Sequence, residues 1–358
     1  MASLIFLSLG TLIGYAVLFR QISFGAEPQA SSTQDPIIAE MISKISESEI
    51  YDTVAYLTQT IGTRYYGTSG NTLAGTYLYN RLGNISGLTV EYQSSYRNVI
   101  ATLPSNSSEI YIVGAHYDTV SGSPGATDNA GGVAIVLELA RIMSQYRFKY
   151  TLKFAFWNRE EAWNPTGATV YVQQAAQNTS LYFNYDSSCY DPTNGFILDI
   201  MYNSRSTWVK DQITQYNTDY EVGFTLTYNV HTCTSDHIPF WNNGYTAIMT
   251  HEETHGPAHT SSDTIDKVNF LYAKKNGQLG MSVLAELAEV QGPWSLMDTV
   301  PPHISILSPA NKTYSANSLP LTFALSEPMD MVSSLITWFL VSRHSSTKCS
   351  FFDSLIAG

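Results

Sequence analysis

The chain has 358 residues and a formal net charge of −12, and only 13% of its residues are charged. That length can bury a large core in one domain with appendages, and the few scattered Lys and Arg argue against a nucleic-acid partner. The three cysteines (Cys189, Cys233, Cys349) cannot all pair within one chain, and no Cys-x-x-Cys or Cys/His spacing suits a structural zinc finger. Cys189 and Cys233 could form a disulfide or stay as two thiols. Abundant tyrosine with sparse charge resembles an extracytoplasmic protein, and the sequons at Asn84, Asn106, Asn178 and Asn311 are compatible with export.

Taken in chain order, Ala2–Phe19 is mostly apolar and uncharged, and Arg20 ends it. The length is short for a membrane span and long for a signal-peptide core. Residues 1–25 are therefore expected to be a signal-anchor or uncleaved leader, with 26–35 a polar linker. Both readings put the remainder outside the cytoplasm, membrane-anchored or secreted. Apolar spacing predicts helices over Pro36–Leu57, Asn71–Leu82, Gly132–Gln145, Thr169–Gln177, Ser206–Tyr216 and Lys267–Gln291. Strands are expected at Leu88–Gln93, Asn98–Leu103, Ile110–Ala115, Thr151–Trp157, Leu181–Asp186 and Tyr245–Met249. Strands apolar throughout, alternating with helices, predict an α/β three-layer sandwich with a mixed, mostly parallel sheet flanked by helices. Pro301–Pro302 marks a boundary. Residues 36–297 form the expected main domain. Residues 298–358 have short β-type runs like the opening of an immunoglobulin-like domain, but fall short of the ~100 residues a full sandwich needs. The apolar run Leu335–Val341 is too short to span a bilayer.

Candidate chemistry gathers where the strands end. The strand Ile110–Ala115 runs into His116-x-Asp118, then a Gly/Ser/Pro-rich loop, then Asp128-Asn-Ala-Gly-Gly and a helix. The strand Thr151–Trp157 is followed by the adjacent Glu160 and Glu161, and Leu181–Asp186 ends in Asp186. His259 opens an H-T-x-x-D-T stretch before the last helix. A histidine with carboxylates suits a borderline cation such as zinc. In α/β sheets, ligands bind at the carboxyl ends of the strands.

With the phrases RNVIATLP, VGAHYDTV, TDNAGG and SDHIPFW, the segment Pro36–Gln291 resembles the co-catalytic di-zinc aminopeptidases, the family of bacterial leucyl aminopeptidase and aminopeptidase Y. Transferrin receptor, glutamate carboxypeptidase and glutaminyl cyclase are more distant relatives. The resemblance implies a zinc-exopeptidase fold, two zinc ions, and peptide substrates with a free N-terminus. It makes His116, Asp128, Glu161, Asp186 and His259 the metal ligands. Asp128 would bridge, Glu161 and His259 would complete one site, and His116 and Asp186 the other. Glu160 would be the general base and Asp118 the carboxylate that orients His116. A cis peptide at Asp128–Asn129 is also implied. Two departures bear on substrate preference and rate: AWNPTGA (Ala162–Ala168) replaces the usual Gly-Leu-x-Gly-Ser stretch, and Ala258 stands where a tyrosine often precedes the final histidine.

One motif competes. His251–His255 reads H-E-E-T-H, the zincin pattern, which works only on a helix. It follows an apolar strand and meets Gly256–Pro257, so it is read as active-site loop. Asp236 and His237 are expected to be local polar groups. A glutaminyl cyclase-like or carboxypeptidase-like enzyme and a non-catalytic surface protein are the alternatives. Gly131–Gly132 argue against a cyclase, and the complete ligand set against a lost activity.

Overall fold

The computed structural model describes residues 34–162, 166–230, 233–252, 254, 256–294, 304–308 and 322–325. The apolar run Ala2–Phe19, Pro301–Pro302, Asn311, the Leu335–Val341 run and Cys349 lie outside these residues. Among the described residues, no helix is long and apolar enough to cross a membrane. The chain divides into two compact units, one ending at Gln291 and one beginning at Gly292.

The first unit opens with a break where the sequence suggests one helix. α1 (Pro36–Ser43) starts on Asp35, whose side chain accepts from the Ile37 amide, and Pro36 supplies a ready-made first-turn φ. Ser46 then caps a second helix, α2 (Glu47–Ala55), by accepting from Glu49. The Ser46 amide donates to Glu138 at 2.9 Å, so a tertiary contact fixes the interruption. A π-helical segment (Tyr56–Ile61) and α3 (Ser69–Gly83) follow.

Strands β1 (Thr89–Gln93), β2 (Asn98–Leu103) and β3 (Ile110–His116) lead to α4 (Gly131–Met143). Then come β4 (Tyr146–Phe148), β5 (Thr151–Trp157), α5 (Gly167–Ala175) and β6 (Thr179–Tyr185). The remainder comprises β7 (Ile197–Met201), α6 (Thr207–Asp219), β8 (Thr225–Asn229), α7 (His237–Asn242), β9 (Ala247–Glu252), α8 (Phe270–Leu287) and β10 (Val290–Pro293). Sequence periodicity does not register β4, β7, β8, β10 or α7. Helix α8 is shorter than expected: Asn269 caps its start, and Gln291 lies in β10.

Eight strands form one mixed sheet in the order β1-β2-β5-β3-β6-β9-β7-β8. The centre, β5-β3-β6-β9, is parallel throughout. β1 and β2 add antiparallel on one side, and β7 pairs antiparallel with β9 on the other. Side-chain alternation splits the strands between two cores. Leu152, Phe154 and Phe156 of β5 enter a large cluster beneath α1, α2, α4 and α8, whereas Ala155 and Trp157 enter a smaller one with Tyr171, Val172 and Phe240 from α5 and α7. Both faces are covered, which makes the three-layer α/β sandwich expected of an apolar parallel sheet. In the second unit, β11 (Ile304–Ser308) pairs antiparallel with β12 (Thr322–Leu325).

Candidate metal centre

Parallel neighbours end at the same sheet edge, so β3, β5, β6 and β9 deliver their following residues to one place. His116 closes β3, Glu160 and Glu161 follow β5, Asp186 follows β6, and His259 comes from the loop between β9 and α8. Asp128 sits in an irregular turn at Ala126–Ala130, just before α4. The Asp128–Asn129 peptide is cis.

The two carboxylate oxygens of Asp128 face opposite partners. His116 Nε2 lies 3.2 Å from Asp128 Oδ1 and 3.3 Å from Asp186 Oδ1. His259 Nε2 lies 3.1 Å from Asp128 Oδ2 and 3.0 Å from Glu161 Oε2. Donor atoms of His116, Asp128 and Glu161 all fall within 4.8 Å of one another. Two trios therefore share one carboxylate. Glu161 Oε1 is buried with no hydrogen-bond partner, a state that costs free energy without a cation or donor. The donor set fits zinc, which takes imidazole nitrogen and carboxylate oxygen.

Charge is concentrated here. Burial alone would lower His116, but Asp186, Asp118 and Asp128 lift it well above the usual imidazole value. Hydrogen bonds to Asp128 and Glu161 raise His259 to about 11. Burial opposes ionisation of Asp128, yet His116 and His259 hold it below the ordinary carboxylate range. Burial pushes Glu161 up to about 7 against the pull of His259. Glu160 is raised well above its ordinary value by burial, with Asp186, Asp236 and Glu161 adding to the effect and His116 opposing it.

Asp118 has more than one contact. Its carboxylate accepts the amides of Glu160 and Glu161 at 3.0 and 3.1 Å. It lies 3.7 Å from His116 Nδ1, whereas the Asp118 main-chain carbonyl is 3.2 Å from that nitrogen. The glutamate loop turns through Arg159, which has a positive φ of 65°. The glycine pair at the start of α4 has a steric reason: a Cβ at Gly131 would strike the Cys189 sulfur, and one at Gly132 the Asn129 side chain. Asn129 in turn donates to the Tyr185 carbonyl at 2.8 Å.

A cavity of about 860 Å³ opens beside the cluster, lined by Asp128, Glu160, Glu161, Asp186 and His259 together with Ile238, Asn242 and Met249. His251 lines it too, but as part of a strand: β9 continues through Glu252, and both residues are buried. This corrects the loop reading of His251–His255 at its first two positions. It also separates them from any zincin helix. His255 lies outside the described residues. Asp236 and His237 are fully buried at the start of α7. No disulfide joins Cys189 and Cys233.

Sequence reasoning passed over Arg64 and left Asp263 without a role. Arg64 is completely buried, and an apolar-periodicity reading has no signal for such a cation. Asp263 belongs to the H-T-x-x-D-T stretch, and it receives the Thr127 amide at 2.8 Å and the Asp128 amide at 3.1 Å.

Strand-end histidines and carboxylates, buried together beside a cleft, make a candidate metal site on an α/β scaffold. The profile of peptidase family M28 matches residues 98–283, and the chain belongs to that family. A probable leucine aminopeptidase of Arthroderma otae is 27% identical over 254 residues, covering 63% of this chain and 69% of that protein. The fold resembles BSAP, a zinc aminopeptidase from Bacillus subtilis, with a TM-score of 0.60, 16% identity and coverage of 68% of this chain and 95% of that one. It also resembles a glutaminyl cyclase of Porphyromonas gingivalis, with a TM-score of 0.57, 21% identity and coverage of 68% and 99%. The chain is thus a peptidase by family, while fold alone does not separate peptidase from cyclase.

Proposed function

We propose that this protein is a zinc-dependent aminopeptidase that binds two zinc ions and removes N-terminal residues from peptides. The observation that carries the reading is the division of Asp128 between two histidine–carboxylate pairs, one oxygen to each. His116 and Asp186 would hold one ion, Glu161 and His259 the other, with Asp128 between them. When bound, the pair of ions would acidify a water and polarise the scissile carbonyl.

The remaining work falls to the chain. Glu160, whose carboxyl is made more basic than an ordinary glutamate by burial and acidic neighbours, is suited to accept a proton. It would take that proton from the attacking water and deliver it to the departing amine nitrogen. Asp118 fixes where Glu160 and Glu161 stand by accepting both their amides, and its carbonyl steadies the His116 ring. The acidic cluster favours a substrate with a free α-ammonium. Gly131 and Gly132 allow α4 to approach Cys189 and Asn129 closely. The uncharged apolar run Ala2–Phe19 supports catalysis outside the cytoplasm, with the chain secreted or membrane-anchored.

Purified full-length protein should hydrolyse leucine p-nitroanilide, lose that activity to a chelator, and regain it with zinc at two ions per chain. A zinc-loaded protein that cyclises N-terminal glutamine but cleaves no aminoacyl anilide would overturn the proposal.

A further inference from the structure

The bridging-type carboxylate lies between two anchors that touch neither cavity nor reacting atoms. On one side is Arg64, whose guanidinium donates only to backbone carbonyls. Nε reaches Tyr117 at 2.8 Å, Nη1 reaches Pro124 at 2.7 Å, Gly62 at 3.2 Å and Leu57 at 3.3 Å, and Nη2 reaches Gly125 at 2.9 Å. Tyr117 follows His116, and Gly125 precedes Asp128 by three residues. One planar fork thereby closes the loop that separates two candidate ligands. The Arg64 amide also donates to Thr119 Oγ1 inside that loop at 2.9 Å. There is little slack at its end: Gly125 has a φ of +60°, and a Cβ there would meet Thr119, the Asp128 carbonyl and Arg64 itself.

On the other side is Asp263, four residues after His259. One of its oxygens accepts the Thr127 amide and hydroxyl, both at 2.8 Å, and the other accepts the Asp128 amide at 3.1 Å. Its carbonyl accepts the Ala126 amide at 3.1 Å. The segment that ends in His259 is thereby tied to the segment that presents Asp128.

We propose that Arg64 and Asp263 are positioning residues that set the metal affinity of the site, by holding Asp128 in its bridging orientation before metal arrives. The inference rests on the two-zinc reading above. A buried guanidinium with no carboxylate against it is costly to the fold alone. Burial lowers its proton affinity to about 10, opposed by Asp263, Asp118, Asp128 and Glu161, so it remains charged at neutral pH. Its placement makes sense as a fixed cation and fork behind an acidic ligand cluster.

The test compares full-length wild type with Arg64→Lys, which keeps the charge and loses the fork, and with Asp263→Asn. Zinc affinity is measured by chelator competition, the cobalt-substituted absorption spectrum reports ligand geometry, and metal-free melting reports the fold. Both variants should stay folded without metal, bind zinc about 10–100-fold more weakly, and show an altered cobalt spectrum. Unchanged affinity and spectrum, with or without a lowered melting temperature, would overturn the inference. So would failure of both variants to fold without metal, which would assign the residues to the scaffold. A wild type that takes up no zinc would instead sink the two-zinc reading, leaving the variants nothing to modulate.

Discussion

The two layers that cover the sheet differ in thickness and in task. The thick layer, with α1, α2, α4 and α8 over Leu152, Phe154 and Phe156, buries an extended apolar cluster and backs the Asp128 turn. Among the described residues, the thin layer has α5 and α7 around Trp157, Tyr171 and Phe240, and its residues Thr166, Thr169, Ile238, Pro239 and Asn242 line the cavity. Rigid packing thus stands behind the candidate ligands, and a slighter cover forms the opposite wall of the cavity. Parallel strands place the chemistry at one edge; what lies over that edge is free to differ.

Changes that separate these tasks probe the contrast. The largest effect is expected at the shared edge, where Glu160→Gln should keep both metals and lower kcat by about 10²–10⁴-fold. Near-normal turnover, or loss of zinc by metal analysis, would remove Glu160 from the role of base. In the thick layer, Phe154→Ala should cost about 3–5 kcal/mol in denaturant unfolding, since its side chain is wholly buried. In the thin layer, Ile238→Ala should leave the unfolding midpoint nearly unchanged and shift the ratio of kcat/KM between leucine and alanine anilides by about 1–3 kcal/mol. If Ile238→Ala unfolds the protein and spares selectivity, the division of labour fails.

The smallest effect concerns pH. His259 is raised from 6.5 to about 11 by Asp128 and Glu161 in the metal-free protein. A raised folded value means a stabilising contribution complete below pH 6.5 and lost as pH climbs through about 11. The His259 side chain is 62% exposed, so solvent screening keeps the contribution small. Metal-free protein should melt slightly lower at pH 9 than at pH 6.5, and zinc uptake at neutral pH should release protons. Calorimetry in buffers of different ionisation enthalpy measures that release, and proton uptake would contradict the assignment.

Much of the α/β order was legible because apolar runs in a parallel sheet are continuous and their ends are abrupt. Strand β5 has the bounds its apolar run predicts, Thr151 to Trp157. Strands β7 and β8 carry no such signal. Asp199 interrupts β7, and in the fold it accepts from Asn229 of β8 at 2.9 Å, a cross-strand partner no local window contains. The same holds for the break before α2, fixed by Glu138, and for β9, which runs on to Glu252 because His251 and Glu252 pair with Asp199 and Leu198 of β7.

The layered class and the chain positions of His116, Glu160, Glu161 and Asp186 are legible locally, because these residues stand at or just past the abrupt ends of apolar strands. Tertiary structure alone decided how they meet. Asp128 turns one oxygen to each histidine, Asp118 divides its atoms between His116 and the glutamate amides, and Arg64 closes its loop on five carbonyls. Those arrangements depend on chain directions set by distant strands, and hydrogen bonds between residues far apart in sequence leave no periodic trace.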